Sequence, residues 1–168
     1  MKYIFVVLAF LFSVSILAQS SPDCRCCSDK HDDFDFWVGN WTVTGPDGNT
    51  VGTNLLEKIQ DGCVLKENWQ AANGKYTGTS FNFYNSSTQK WEQIWVDNNG
   101  GNLYLSGNRD GNQMILRSTE LTNREGKPFY HQITWTKNED GTVRQLWETF
   151  TEGEEVRVAF DGLYKKVQ

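Results

Sequence analysis

Few residues of this sequence are equipped for chemistry, and those that are stand among aromatics. Glu67 lies in Cys63-Val64-Leu65-Lys66-Glu67-Asn68-Trp69, and His131 in Phe129-Tyr130-His131-Gln132-Ile133-Thr134-Trp135. In an extended chain, residues two apart share a face. Glu67 then keeps company with Cys63, Leu65 and Trp69, and His131 with Phe129, Ile133 and Trp135. A carboxyl among apolar neighbours holds its proton more tightly than one in water, because desolvation penalises the carboxylate. A group tuned in that way suits general acid or base work, and a histidine is its natural partner in proton transfer. Glu67 and His131 are therefore the catalytic candidates, although a lone histidine on an apolar face is more often a hydrogen-bonded core residue. No nucleophile is prepared: Gly-x-Ser-x-Gly is missing, and every cysteine except Cys63 lies near the N-terminus.

Two glutamines join this set by the same alternation. Gln93 shares a face with Trp91, Trp95 and Asp97, although Ile94 and Val96 allow the opposite assignment. Gln145 shares one with Val143, Trp147 and Thr149, against Arg144, Leu146, Glu148 and Phe150, where the choice is closer. If the four strands face one interior, Glu67, Gln93, His131 and Gln145 are orienting polar groups and Trp69, Trp95, Trp135 and Trp147 are walls. That is the make-up of a small-molecule site: an apolar lining with a few convergent polar groups, suited to a small apolar or aromatic ligand. Two other readings use the same residues. One is a plugged core in which the polar groups satisfy each other, with a structural or interaction role for the barrel. The other is an enzyme built on Glu67 and His131. Haem would have His131 as its only internal axial candidate; the pattern itself calls for no cofactor.

Cysteine placement is uneven. Cys24, Cys26 and Cys27 cluster near the N-terminus and Cys63 stands alone. Pairing inside the cluster is the strained option, so the least strained bridge ties the arm to Cys63 and leaves two cysteines for a second bridge or for free thiols. With His31 the cluster forms a group of soft ligands, but the spacing does not fit zinc, which prefers paired cysteines two to four residues apart followed by a second pair. No metal is expected there. Asp32, Asp33 and Asp35 read as a solvated charge run.

The elements that must position these groups are announced by punctuation. Pro46-Asp47-Gly48, Asp61-Gly62, Asn73-Gly74, Asn85-Ser86-Ser87, Asn99-Gly100-Gly101, Asp110-Gly111, Glu125-Gly126, Asp140-Gly141 and Glu152-Gly153 recur at nearly even intervals. Such dipeptides supply the positive φ angles of tight hairpin turns. The segments between them are rich in Trp, Tyr, Phe, Val and Thr, which is the strand signature, and no segment beyond the N-terminus keeps a helical period. The chain is therefore expected to be all-β, an antiparallel up-and-down meander of roughly ten strands. An open sheet of that size would leave two long edges exposed, and closure into a barrel removes them.

Phe34-Asp35-Phe36-Trp37-Val38-Gly39-Asn40-Trp41 contains the Gly-x-Trp that opens the first strand of lipocalin-like (calycin-type) barrels. Together with the stretches 63–69, 91–97, 131–136, 143–148 and 160–164, it resembles a bacterial lipocalin-like family of unknown function. The resemblance covers most of 34–166 and leaves out the cysteine-rich arm. It implies a meander barrel and brings no established catalytic residues.

Met1–Ala18 carries one charge, Lys2, followed by a short apolar run and a small residue, which is the layout of a secretory signal. The run is too short for a permanent anchor, which needs about 20 apolar residues, and no second run follows, so no membrane span is expected. The expected organisation is a signal peptide over 1–18, a cysteine-rich arm over 19–33 and one barrel domain over 34–168. The 150 residues expected to remain of the 168 after the leader make a single domain. The formal charge of −5 of the whole sequence and its lack of a basic block make nucleic acid a poor partner. The expected location is secreted or periplasmic.

Overall fold

The computed structural model describes residues 24–167, so the leader expected over 1–18 and the beginning of the arm lie outside the described residues. After a single helical turn, α1 (Asp29–Asp32), and a 3-10 turn (Asp35–Trp37), the chain is strand throughout. The strands are β1 (Gly39–Thr44), β2 (Thr50–Ile59), β3 (Val64–Ala71), β4 (Thr77–Asn85), β5 (Lys90–Asp97) and β6 (Asn102–Asp110). They continue as β7 (Gln113–Arg117), β8 (Leu121–Thr122), β9 (Pro128–Lys137), β10 (Val143–Thr151) and β11 (Arg157–Lys166). Neighbours in sequence pair antiparallel from β1 to β7, β7 pairs with β9, and β9 continues through β10 and β11 back to β1. Ten strands thus close into a barrel, consistent with a calycin-like architecture, and no long edge is left unpaired.

The eleventh strand is the one departure from an even meander. β8 is a two-residue strand beside β9, separated from β7 by Ser118–Glu120. Ser118 causes the break. Its backbone N–H donates to the His131 carbonyl, while its hydroxyl oxygen accepts from the His131 N–H at 3.0 Å, so a side chain takes the place of a ladder bond.

Alternation sorts the residues as the sequence suggests and resolves its ambiguities. On β5, Trp91 and Gln93 are buried whereas Ile94 and Val96 are 42% and 50% exposed, so the aromatic face points inward. Val143 and Gln145 of β10 are buried as well.

The two ends of the barrel differ. The turns after β2, β4, β6 and β9 lie at one end, together with the entry to β1. There the segment leading into β1 folds inward as a stopper. Phe34 and Trp37 are completely buried and stack on each other at 5.0 Å. Phe34 meets Trp91 and Trp135 edge-on, and Trp37 lies 5.0 Å from Trp135. Indole N–H groups of the barrel hold the incoming backbone: Trp41 Nε1 donates to the Trp37 carbonyl at 2.8 Å and Trp91 Nε1 to that of Lys30 at 3.0 Å.

Outside the barrel, the arm is fastened by charge and sulfur. Lys58 of β2 pairs with Asp32 and Asp35, and Arg109 of β6 with Asp33, so the acidic run is ion-paired rather than merely solvated. Cys26 bridges to Cys63 in the β2–β3 turn, and Cys24 bridges to Cys27. The second bridge lies inside the cluster because the chain turns at Arg25–Cys26 and brings the two Cα atoms to 5.4 Å, within the ordinary disulfide range.

Candidate functional site

At the opposite end, framed by the turns after β1, β3, β5 and β10, the barrel interior is open. A cavity of about 410 Å³ lies there, within the range of small-molecule sites. Its walls include Trp69, Trp95, Trp147, Phe160, Leu103 and Ile133, and its polar lining groups include Glu67, Gln93, Gln145 and Tyr164.

Glycines explain why this end has room. A Cβ on Gly52 of β2 would come within 2.6 Å of the Trp69 ring, and one on Gly78 of β4 would collide with the Trp95 ring. Each indole therefore lies across a neighbouring strand at a position that has no side chain. A ring laid flat along the wall lines the lumen, whereas the same ring standing upright would fill it. Gly162 makes room for the Phe160 ring on the same strand, β11.

Beneath the cavity runs a hydrogen-bonded belt of side chains. Gln145 on β10 accepts a short bond from the Tyr164 hydroxyl on β11. Asn54 on β2 donates from Nδ2 to the Tyr164 oxygen at 3.4 Å and to Glu67 Oε1 at 2.7 Å. The Ser80 hydroxyl on β4 donates to Glu67 Oε2 at 2.6 Å and accepts from Asn82 Nδ2 at 2.9 Å. Gln93 on β5 closes the run by donating to Asn82 Oδ1 at 2.7 Å. The remaining lower interior is apolar, supplied by Leu105, Met114, Leu116 and Val43 among others. The belt thus follows one side of the barrel and leaves β6, β7 and β9 as a greasy opposite wall.

Glu67 is the centre of this belt. It is 4% exposed, and burial pushes its pKa up to about 7, with the Ser80 and Asn54 bonds opposing the rise. No cation compensates it: the ion pairs of the described residues lie on the arm and on the outer faces of strands and turns. Tyr164 beside it is held well above the ordinary phenol range by burial and by the neighbouring carboxyl charge. A carboxyl tuned to near neutrality can gain or lose a proton, or meet a positive charge, under ordinary conditions.

His131 occupies a different place. It sits near the open rim of β9, opposite Thr149 of β10, and outside the cavity lining. Its Nδ1 lies 3.1 Å from the Thr149 hydroxyl and accepts the Trp147 indole N–H at 3.1 Å. An indole can only donate, so Nδ1 carries no proton and the neutral ring has its hydrogen on Nε2. Burial first, and the charge of Arg157 second, lower the histidine's pKa. Glu67 and His131 share no hydrogen bond and no common partner, so the structure does not bring them together as a proton-transfer pair.

Of the candidates named from sequence, the structure gathers Glu67, Trp69, Gln93, Trp95, Gln145 and Trp147 around the cavity. Trp135 shares their pattern but lies in the stoppered half, fully buried against Phe34 and Trp37. Reasoning from alternation missed Asn54, Ser80, Asn82 and Tyr164. Tyr164 lies on β11, to which the alternation above assigns no inner face. The other three sit on strands whose inner faces read Gly52, Asn54, Leu56 and Gly78, Ser80, Asn82, so apolar alternation passes over them. Small inward residues beside a Trp-bearing strand were the available signal.

A wider depression of about 620 Å³ lies over the outer faces of β1–β5, with Thr53, Leu55, Asn68, Thr79 and Val96 among its lining. It gathers no convergent titratable groups. Among the described residues, no cluster of His, Cys, Asp and Glu is arranged to hold a metal ion, and no helix is long and apolar enough to cross a membrane. No model of a known protein family and no curated protein matches the chain.

Proposed function

We propose that this chain is an exported, lipocalin-like binding protein that holds a small, largely apolar or aromatic molecule in the open end of its barrel. One observation carries the reading: a cavity of about 410 Å³ lined by Trp69, Trp95 and Trp147 above a belt of buried polar groups. Indoles laid over glycines keep the space open, where a barrel meant only to be a core would fill it. The polar groups beneath give a ligand something to orient against. A secreted or periplasmic location is supported by the two disulfides, which persist in oxidising compartments, and by the leader-like start of the sequence.

The test is a titration of the purified protein with fatty acids, aromatic acids, aromatic amines, polyenes and haem, followed by tryptophan emission. Because three indoles line the cavity, its occupant is expected to shift or quench that emission in a saturable way. Trp95→Leu should weaken the response and Trp135→Phe should not, since Trp135 lies at the closed end. Equal loss in both variants, or no saturable response from the whole panel, would overturn the reading. Turnover of a bound compound that disappears in Glu67→Gln would instead mark an enzyme.

A further inference from the structure

We propose that the cavity selects an organic cation, a protonated amine on a compact aromatic or aliphatic body, with its ammonium group at Glu67 and the indoles of Trp69 and Trp95 around it. This rests on the cavity being a ligand site and adds the charge of the ligand.

The first ground is the charge of the lining. Among the described residues that line the cavity, Glu67 is the only carboxyl, and there is no lysine, arginine or histidine. An anionic ligand would enter an aromatic-walled space holding a carboxyl and no counter-charge, and it would lose its water without compensation. A cation meets the opposite situation. The second ground is what Glu67 lacks. Each of its oxygens accepts one bond from a neutral donor, Asn54 at 2.7 Å and Ser80 at 2.6 Å. A carboxylate has about four acceptor positions, so acceptor capacity remains for the N–H donors of a ligand. The third ground is the walls. Indole faces carry negative quadrupole density and attract cations, most strongly where water is excluded.

The way in is consistent with this. Asp97 at the end of β5 accepts from Tyr76 at 3.1 Å and from the Trp95 indole at 3.4 Å, and both donors line the cavity. The backbone N–H of Gly101 holds Asp97 below the ordinary carboxylate range, so it stays charged at the rim. The acidic balance of the whole chain draws cations in the same direction.

Three probes with one ring and different head groups separate the possibilities: 2-phenylethylamine, 2-phenylethanol and 3-phenylpropionate, titrated into the full mature protein with its disulfides intact. At about pH 8 the amine is expected to bind about tenfold or more tighter than the alcohol, the scale of a desolvated cation–π contact together with an ion pair, and the carboxylate to bind weakest. Glu67→Gln should collapse the amine-to-alcohol ratio. The parent protein supplies a second reading that needs no variant: the ratio falls as the pH is lowered from about 8 to about 5, because protonation removes the charge of Glu67. The groups facing Glu67 do not confuse this window. Asn54 of β2 and Ser80 of β4 do not titrate, and the phenols of Tyr164 on β11 and Tyr76 at the rim are both pushed above their ordinary range. Equal affinity for the three probes, or tighter binding of the alcohol or carboxylate, overturns the cation preference and leaves the cavity reading standing. Silence from all three probes overturns the preference too, and the broader panel then decides the cavity reading separately.

Discussion

Trp37, Trp41, Trp91 and Trp135 at the stoppered end of the barrel are almost wholly buried, whereas Trp69, Trp95 and Trp147 at the other end border a cavity. One residue type, on strands of one meander, does two jobs. At the closed end the rings meet other rings and the inserted Phe34, and interdigitation removes the lumen. At the open end Trp69 and Trp95 meet glycines, and among the described residues no segment comes in from outside to cover the rings. The belt through Glu67 divides the two halves, and it is there that desolvation and hydrogen bonding are in direct competition. Tryptophan content therefore says little about whether a small barrel is hollow. The residue opposite each ring decides it.

The largest expected contrast is in stability. Trp37→Ala removes a fully buried ring from the stopper and is expected to cost about 3–5 kcal/mol. Trp147→Ala, at a half-buried wall, should cost clearly less while weakening ligand response. Urea unfolding of the two variants beside the parent checks this, and equal costs would erase the distinction between the ends.

Next comes the belt. The folded pKa of Glu67 is raised to about 7 from 4.5. Between those values the folded protein holds a proton that the unfolded chain has released. The stability this group contributes is thus fully present below about pH 4.5 and is lost as the pH rises through about 7. The shift corresponds to about 3 kcal/mol. Unfolding free energies measured across that window should drift in favour of Glu67→Gln by about this amount relative to the parent. The comparison also cancels His131, whose lowered pKa acts in the opposite direction, adding stability as the pH rises. A constant difference across the window would remove the desolvated carboxyl from the account.

Tethering of the stopper should be slightly weaker. Cys26 and Cys63 close a loop of 37 residues in sequence separation, so the paired change Cys26→Ser with Cys63→Ser is expected to cost about 2–4 kcal/mol. Cys24 and Cys27 are separated by only 3, and their paired replacement should cost less than half as much. Thermal unfolding under non-reducing conditions ranks the two.

The smallest effect is expected outside the barrel. Phe81, Ile94 and Tyr104 form a cross-strand row on β4, β5 and β6, each more than 40% exposed. Phe81→Thr should change stability by about 0.5 kcal/mol or less and leave ligand binding unchanged. A loss of binding in that variant would place the site on the outer face instead of in the lumen.

Turn chemistry and the two-residue period are local, and both are legible along the chain. Asn-Gly and Asp-Gly steps require a positive φ wherever they fall, and Leu65, Glu67 and Trp69 share a face in any strand that contains them. A closed antiparallel meander with Glu67, Gln93 and Gln145 turned inward follows from those rules together with the cost of open edges. Other features have no local signature. Trp135 and Trp69 stand in similar alternating contexts, yet one is core and the other is wall, because only the closed barrel shows which of them Phe34 reaches. Asn54, Ser80 and Asn82 escape apolar alternation; once β2 and β4 are set beside β3, Asn54 and Ser80 converge on one carboxyl and Asn82 bonds to Ser80. His131 parts from Glu67 for the same reason: strand position fixes a side chain's face, but its height in the barrel and its partners come from the pairing of β9 with β10. Hydrogen bonds and ring contacts depend on distances between residues far apart in sequence, and closure of the sheet sets those distances.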